Sequence, residues 1–497
     1  MLPEDTLLEI FDIYRLDTMV WSRDGHRWDW LRLAHVCRRW RHVISISPHR
    51  LDLWILCKSG VRPIERILRS TSWSSVPLIV RFKAAEAAAA APLRLPDNIA
   101  AALRHWDRIC EIDLVLTREM VGPIVEVIHE PLQALKSIRV TVKNSIGPLL
   151  IRRNSLLGGS APQLREIKLD GIAFPFSAVR RLVSSTNNLV ELQLSNIPND
   201  AYFSPDELIT TLSNLVHLKS LTIGFHSPAS RPPPASANST THRPFTTKRT
   251  TTTTTLSYLT QFDFHGASEY LEDFVSPQKN TQTLNLPSLT KLSIKLFNQI
   301  QFEIPQFSRF FIPRIEALRS PTWIFVTHSA ESVSVMFVQE GKPSNENFSL
   351  STAGPCKRLN LQLSFVTQIT SQLSPFVLSS VHSLSIKKAH NSEMPSGAGG
   401  RDSEEEDDDD EDDVDSAQWL ELFQPFRHLT QVHVWEKQLV PGIVQALVSE
   451  EGGGVVSLPE LSSLHLSGYR KSPSVAKAAE EFVATRRLAG RTVRLIG

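Results

Sequence analysis

One short string recurs along this chain and constrains its fold more than any other feature: apolar-x-x-apolar-x-apolar. It is carried by Ile109, Ile112 and Leu114, then by Leu135, Ile138 and Val140, and then by Leu164, Ile167 and Leu169. Leu189, Leu192 and Leu194 repeat it, as do Leu218, Leu221 and Ile223. Further copies start at Leu259, Leu289, Cys356, Val381, Leu429 and Leu461, and a weaker one at Ala330. The first five copies begin at 109, 135, 164, 189 and 218, which are intervals of 26, 29, 25 and 29 residues. The last three positions alternate apolar-polar-apolar, the pattern of a short strand with one buried face. Helix-compatible stretches lie between copies, at 178–183, 205–212 and 418–423, with Ser204 and Asp206 as candidate N-caps for the second. One strand and one helix per unit predicts an α/β architecture, either a stacked array or a doubly wound sheet.

Three segments interrupt this pattern. Residues 84–91 are almost all alanine, 227–255 are rich in Pro, Ser and Thr, and 390–416 combine Ser and Gly with an acidic run. Each lacks the apolar content that offsets ordering entropy, so each is expected to be a mobile loop or linker. The last two fall between copies of the string and leave the units intact. The acidic run also changes how the charge balance reads. The chain as a whole carries 53 − 52 = +1, but twelve acidic residues lie between Asp402 and Asp415, so the remainder carries 53 − 40 = +13. The run is read as a solvated, self-repelling loop, with an acceptor for a basic partner or a screen for the basic body as the alternative.

Residues 2–54 differ from the rest. They hold Trp21, Trp28, Trp30, Trp40 and Trp54, half of the chain's ten tryptophans, and no copy of the string. Leu7, Leu8, Ile10 and Phe11 form an apolar helical stripe, with Pro3 where a first turn tolerates it. Leu31, Ala34, Cys37, Trp40, Val43 and Ile44 form a second, flanked by Arg38, Arg39 and Arg41.

Two resemblances follow from these residues. The repeated string with its intervening helices resembles irregular leucine-rich repeats, although Ile172, Ile197, His226 or Phe297 stands where such repeats usually place Asn or Cys. At the N-terminus, Leu2-Pro3-Glu4-Asp5 with Leu7, Leu8, Ile10 and Phe11, followed by Val36-Cys37-Arg38-Arg39-Trp40, resembles the F-box, as does the closing Leu51-Asp52-Leu53-Trp54. The longer stretch is similar to F-box proteins of mushroom-forming fungi. The segment from Arg15 to Asp29 is longer and more polar than the usual link between the first two F-box helices.

Together these resemblances imply an α/β solenoid: an N-terminal three-helix F-box module, then a curved, irregular leucine-rich-repeat array with disordered insertions. The expected divisions are 1–57 for the module, 58–106 for a connector, 107–226, 256–389 and 417–497 for the array with a C-terminal cap, and 227–255 and 390–416 for the insertions. The family implies a substrate receptor that docks on a Skp-type adaptor, and through it on a cullin ubiquitin ligase. Leu2, Pro3, Leu7, Leu8, Phe11, Val36, Cys37 and Trp40 would supply the adaptor contact. For Ile10, Leu33, Val36 and Trp40, burial in the module's own core is the competing reading. A scaffold that recruits without degradation is the alternative function.

A protein target would meet the polar positions between the apolar ones of each strand, where a stacked array presents an extended face. These are Arg139, Lys168, Gln193, Asp263, His265, Lys295, Gln362, Lys387, His433, Trp435 and His465. Trp435 stands out as an aromatic at an exposed position, which a displacement of one residue would bury.

Signals for chemistry are missing. No phosphate-binding glycine loop precedes Gly341-Lys342, the pair His129-Glu130 runs into Pro131, and no G-x-S-x-G elbow occurs. Cys37, Cys57, Cys110 and Cys356 are far apart and form no zinc pattern or disulfide framework. No catalytic residue, metal or cofactor is expected. The Arg486-Arg487 pair reads as a solvated face of a C-terminal helix, so nucleic acid is not the expected partner. No stretch reaches the roughly 18 apolar residues of a membrane helix, and the start reads as neither a secretory nor a transit signal. The cytoplasm or nucleus is the expected compartment.

Overall fold

In the computed structural model, the structure describes residues 2–21, 33, 35–46, 53–56, 77–84, 95–127, 130–143, 147–152, 156–186, 188–227, 252–275, 282–297, 309–310, 323–328, 333–338, 348–353, 366–367, 370–371, 375–388, 416–450 and 458–497. The chain forms two compact units, residues 1–259 with 284–287, and residues 260–283 with 288–497.

The first unit is built on seven parallel strands that lie side by side in chain order. These are β1 (Leu53–Leu56), β2 (Leu78–Lys83), β3 (Ile109–Thr117), β4 (Ser137–Lys143), β6 (Glu166–Asp170), β8 (Glu191–Ile197) and β9 (Ser220–Phe225). The two-residue strands β5 (Leu149–Leu150) and β7 (Ile172–Ala173) pair beside it. Strands β3, β4, β6, β8 and β9 each take the alternating positions of one copy of the string. Leu114, Ile167, Leu192 and Leu221 point inward and are at most 1 % exposed. Burying a side chain of this size contributes about 1.5–3 kcal/mol, so the strings hold the inner face of the sheet together. Helix Phe176–Ser184 covers that face with Ala178, Val179, Leu182 and Val183. Helix Pro205–Leu212 follows it, and there Ser204 is the N-cap: its hydroxyl accepts from the Glu207 N–H while the Glu207 carboxylate accepts from the Ser204 N–H. Asp206 lies inside that helix and is not the cap.

Gly171, between β6 and β7, has φ +68°, and a Cβ there would sit 2.6 Å from the Val142 carbonyl oxygen. Only glycine fits so close an approach in the left-handed region.

The second unit carries β11 (Gln261–Gly266), β13 (Lys291–Phe297), β14 (Trp323–His328), β15 (Val333–Val338), β16 (Phe348–Ala353), β17 (Ser383–Lys388), β18 (Gln431–Val434), β19 (Ser463–Leu466) and β20 (Arg494–Ile496), in the spatial order β11-β13-β16-β15-β14-β17-β18-β19-β20. Strand β15 runs antiparallel to both β14 and β16, and the other neighbouring strands in this order pair parallel. Helix Ser416–Phe423 packs on Val440–Glu450, which in turn packs on Pro473–Leu488. Trp419, Leu422 and Phe423 are buried from the first of these.

The architecture corrects the expected solenoid. What forms in each unit is a mostly parallel α/β sheet with helices, and not a three-helix module followed by a curved, irregular leucine-rich-repeat array. Among the described N-terminal residues the helices Glu4–Trp21 and Arg38–Ile46 stand out, with residues 33, 35 and 36 also helical, and no three-helix module is evident. Strands β1, β2, β14 and β16 come from segments with no copy of the string. The weak copy at Ala330 supplies β15, whose antiparallel course breaks a one-direction array. The string reports alternation, and alternation is the same in parallel and antiparallel strands. Part of the Thr-rich segment is also ordered. Residues Thr252–Thr255 form a strand, β10, with Thr254 only 8 % exposed. A second short strand, β12, spans Gln282–Asn285. Residues 85–91, 228–251 and 390–415, and the copy at Cys356, lie outside the described residues.

Candidate functional site

The N-terminal candidates divide into two groups. Leu7 and Phe11 are buried with Leu33, Val43 and Ile44. The Phe11 and Trp40 rings meet edge to face at 4.9 Å, and Trp40 and Leu8 are half-buried. Cys37 stands before the second helix, where its sulfur accepts from the Trp40 N–H at 3.4 Å. Arg39 donates through Nη2 to the Leu2 carbonyl, which ties the start of the first helix to the second. Leu2, Pro3, Val36 and Cys37 remain exposed, Leu2 at 50 % and Val36 at 59 %. Ile13, at 66 %, is exposed too. One set of motif residues therefore makes the local core and another faces outward.

On the outer face of the first unit, the register aligns Arg81, Asp113, Arg139, Lys168, Gln193 and Thr222 in one row across β2, β3, β4, β6, β8 and β9. The neighbouring row holds Glu111, Ser137, Glu166, Glu191 and Ser220. The two rows neutralise each other. Arg81 bonds Glu111 at 2.8 Å and approaches Asp113 at 3.6 Å, and Lys168 bonds both Glu166 at 2.8 Å and Glu191 at 3.0 Å. Arg139 holds Glu166 through two bonds. Burial alone would raise the Glu166 carboxyl. Hydrogen bonds from Arg139, Lys168 and Ser137 outweigh it and hold the group down at about 2. Arg139 and Lys168, expected as target contacts, are thus engaged in a lattice of ion pairs, while Gln193 bonds Ser195 at 3.2 Å.

In the second unit, Asp263 and His265 lie on β11 opposite Ser293 and Lys295 of β13. Lys295 is exposed, and the His265 ring packs on Phe297 at 4.8 Å. Further along, His433 and His465 are direct partners across β18 and β19, their rings stacked at 4.1 Å and 16°. Burial, and then the charge of His465, lower the pKa of His433. Trp435 follows β18 and is 60 % exposed, yet its indole N–H donates to the hydroxyl of buried Ser385 at 3.0 Å. Lys387 is exposed beside it. Lys387, His433, Trp435 and His465 therefore come together on one face, and Gln362 lies outside the described residues.

No protein-family model matches the chain, and no curated protein matches it. The site rests on its own geometry.

One feature escaped sequence reasoning. An open depression of about 380 Å³ in the first unit is lined by Arg165, Asn188, Val190, His217, Lys219 and Tyr258. These residues flank the first apolar position of successive strings, and each strand start is hydrogen-bonded to the next: Val190 N–H donates to the Arg165 carbonyl and Lys219 N–H to the Val190 carbonyl, each at 2.8 Å. The signal was in the positions beside each leading leucine, which the apolar pattern passes over. Arg486 is a second surprise. It is 1 % exposed, donates to the Leu458 carbonyl at 3.0 Å and lies over the Phe482 ring, so only Arg487 of that pair is on a solvated face.

Among the described residues, no three His, Cys, Asp or Glu side chains converge to hold a metal, and no helix is long and apolar enough to cross a membrane.

Proposed function

We propose that this chain is a recruiting protein rather than an enzyme. In this reading it is the substrate-recognition subunit of a Skp-cullin-F-box ubiquitin ligase, working in the cytoplasm or nucleus. Its N-terminal helices hold the adaptor and its strand faces hold a protein target. The contribution to catalysis is proximity, the placing of a target lysine beside the ligase's own machinery. The observation that carries the reading is the division among the N-terminal motif residues. Leu7 and Phe11 build the local core, whereas Leu2 and Val36 stay exposed, where apolar side chains gain by docking.

The decisive experiment is capture of a purified Skp-type adaptor by the full chain, with Leu2→Asp and Val36→Asp as variants. Capture by the wild type, lost in both variants without loss of helix content, supports the reading. No capture by the wild type overturns it. A non-degradative scaffold is the second reading. It prevails if adaptor is captured but no neighbouring protein accumulates when the proteasome is blocked.

A further inference from the structure

The two polar strand faces differ in a way that bears on the partner. In the first unit, cations and carboxylates alternate and neutralise one another, as Arg139, Lys168 and Glu166 do. Strands β17 to β20 contain no Asp or Glu at all. Their register sets Ser383, Gln431, Ser463 and Arg494 in one row and Ser385, His433, His465 and Ile496 in the next, with Lys387 and Trp435 beyond. The Trp435 ring is exposed but anchored through Ser385, so little freedom is lost when something packs on it.

We propose that the face of β17–β20 binds an acidic polypeptide segment, with an apolar or aromatic residue of that segment on Trp435 and its carboxylates on Lys387, Arg494 and the His433–His465 pair. This rests on the reading of strand faces as target-binding surfaces and names the class of target.

Charge complementarity selects the occupant. The groups on this face that titrate or carry charge are Lys387, His433, His465 and Arg494, with Glu436 and Lys437 in the turn after β18. All four on the face are cations or become so. Burial, and then its neighbour His465, favour the uncharged form of His433. Lys387 and Arg494 are the fixed cations of this face, too few for the dense phosphate contacts that nucleic-acid binding requires. A carboxylate placed against the histidine pair favours the charged imidazole, so binding takes up protons and tightens as pH falls.

The test is fluorescence anisotropy of a labelled Glu-rich peptide with one central Phe, titrated with the full chain at low salt. The comparison probes are the same peptide with every Glu replaced by Gln, and an oligothymidine of equal charge. The Glu peptide is expected to bind about tenfold tighter at about pH 5.5 than at about pH 7.5. The double variant His433→Gln/His465→Gln should flatten that dependence, and Trp435→Ala should weaken binding by about tenfold. Arg494→Ala, on an exposed side chain, provides a second variant that leaves the packing alone. Equal binding of the Glu and Gln peptides, or Glu-peptide binding that none of these variants alters, overturns the proposal. So does tighter binding of the oligothymidine with the same variant sensitivity. The assay needs no adaptor: loss of peptide binding with adaptor capture intact sinks this inference alone, and the reverse outcome sinks the ligase reading alone.

Discussion

Arg139 grips Glu166 with two parallel hydrogen bonds, Nε to Oε1 and Nη2 to Oε2, each 2.8 Å long. The pair joins adjacent strands, β4 and β6, and Lys168 and Ser137 complete the shell around the carboxylate. Such fork-to-fork geometry is stronger and more directional than a single exposed ion pair.

Glu166→Gln should therefore destabilise the first unit by about 2 kcal/mol at neutral pH. The Glu166 carboxyl lies at about 2 in the folded chain against an ordinary 4.5. A lowered carboxylate stabilises above its ordinary value, and that contribution fades as pH falls from about 4.5 through about 2. Urea unfolding followed by circular dichroism at pH 7 and near pH 3 should show a shallower acid dependence in the variant. Equal slopes would contradict this assignment.

Phe11→Ala and Leu2→Ala should separate packing from docking. Phe11 is 3 % exposed and meets Trp40, so its loss should cost about 3–4 kcal/mol locally, seen as faster hydrogen exchange in both N-terminal helices. Leu2 is half exposed, and its truncation should leave exchange within error while weakening adaptor capture. Equal effects of the two substitutions on exchange would argue against the division.

Arg486→Met keeps much of the side-chain volume and removes the guanidinium that bonds the Leu458 carbonyl. Leu458 sits at φ +54°, a strained position for a branched residue, so the bond helps to hold an unfavourable turn. A loss of about 1–3 kcal/mol is expected from the unsatisfied carbonyl and the released turn. Lys at this position should not restore it, because the guanidinium over the Phe482 ring is lost. A thermal melt that does not move for Arg486→Met would remove the structural role.

Gly171→Ala should destabilise by more than about 1 kcal/mol, on the order expected where φ is positive and a Cβ meets backbone. The Val142 carbonyl has nowhere to move, since it belongs to β4. Wild-type stability in this variant would mean that β6 and β7 are joined differently.

Much of the strand layout was legible in the alternation of apolar residues. Ile167 and Leu169, and their equivalents in the other described copies, become inward positions because side chains on a strand alternate strictly between faces. The Ser204 cap was legible because capping depends on three neighbouring residues. Trp435 was placed outward on the same grounds, and it is exposed.

The sequence by itself determined what is local: which residues alternate, where helices start, and that the acidic run is segregated from a basic remainder. Tertiary structure decided what depends on pairing between distant segments. It set β15 antiparallel between β14 and β16 and turned the first unit's cations onto carboxylates of neighbouring strands. It also buried Arg486 and exposed Val36. The physical reason is that periodicity fixes only the face a side chain occupies, whereas its electrostatic partner comes from the neighbouring strand, some ~4.8 Å away in space and tens of residues away in sequence.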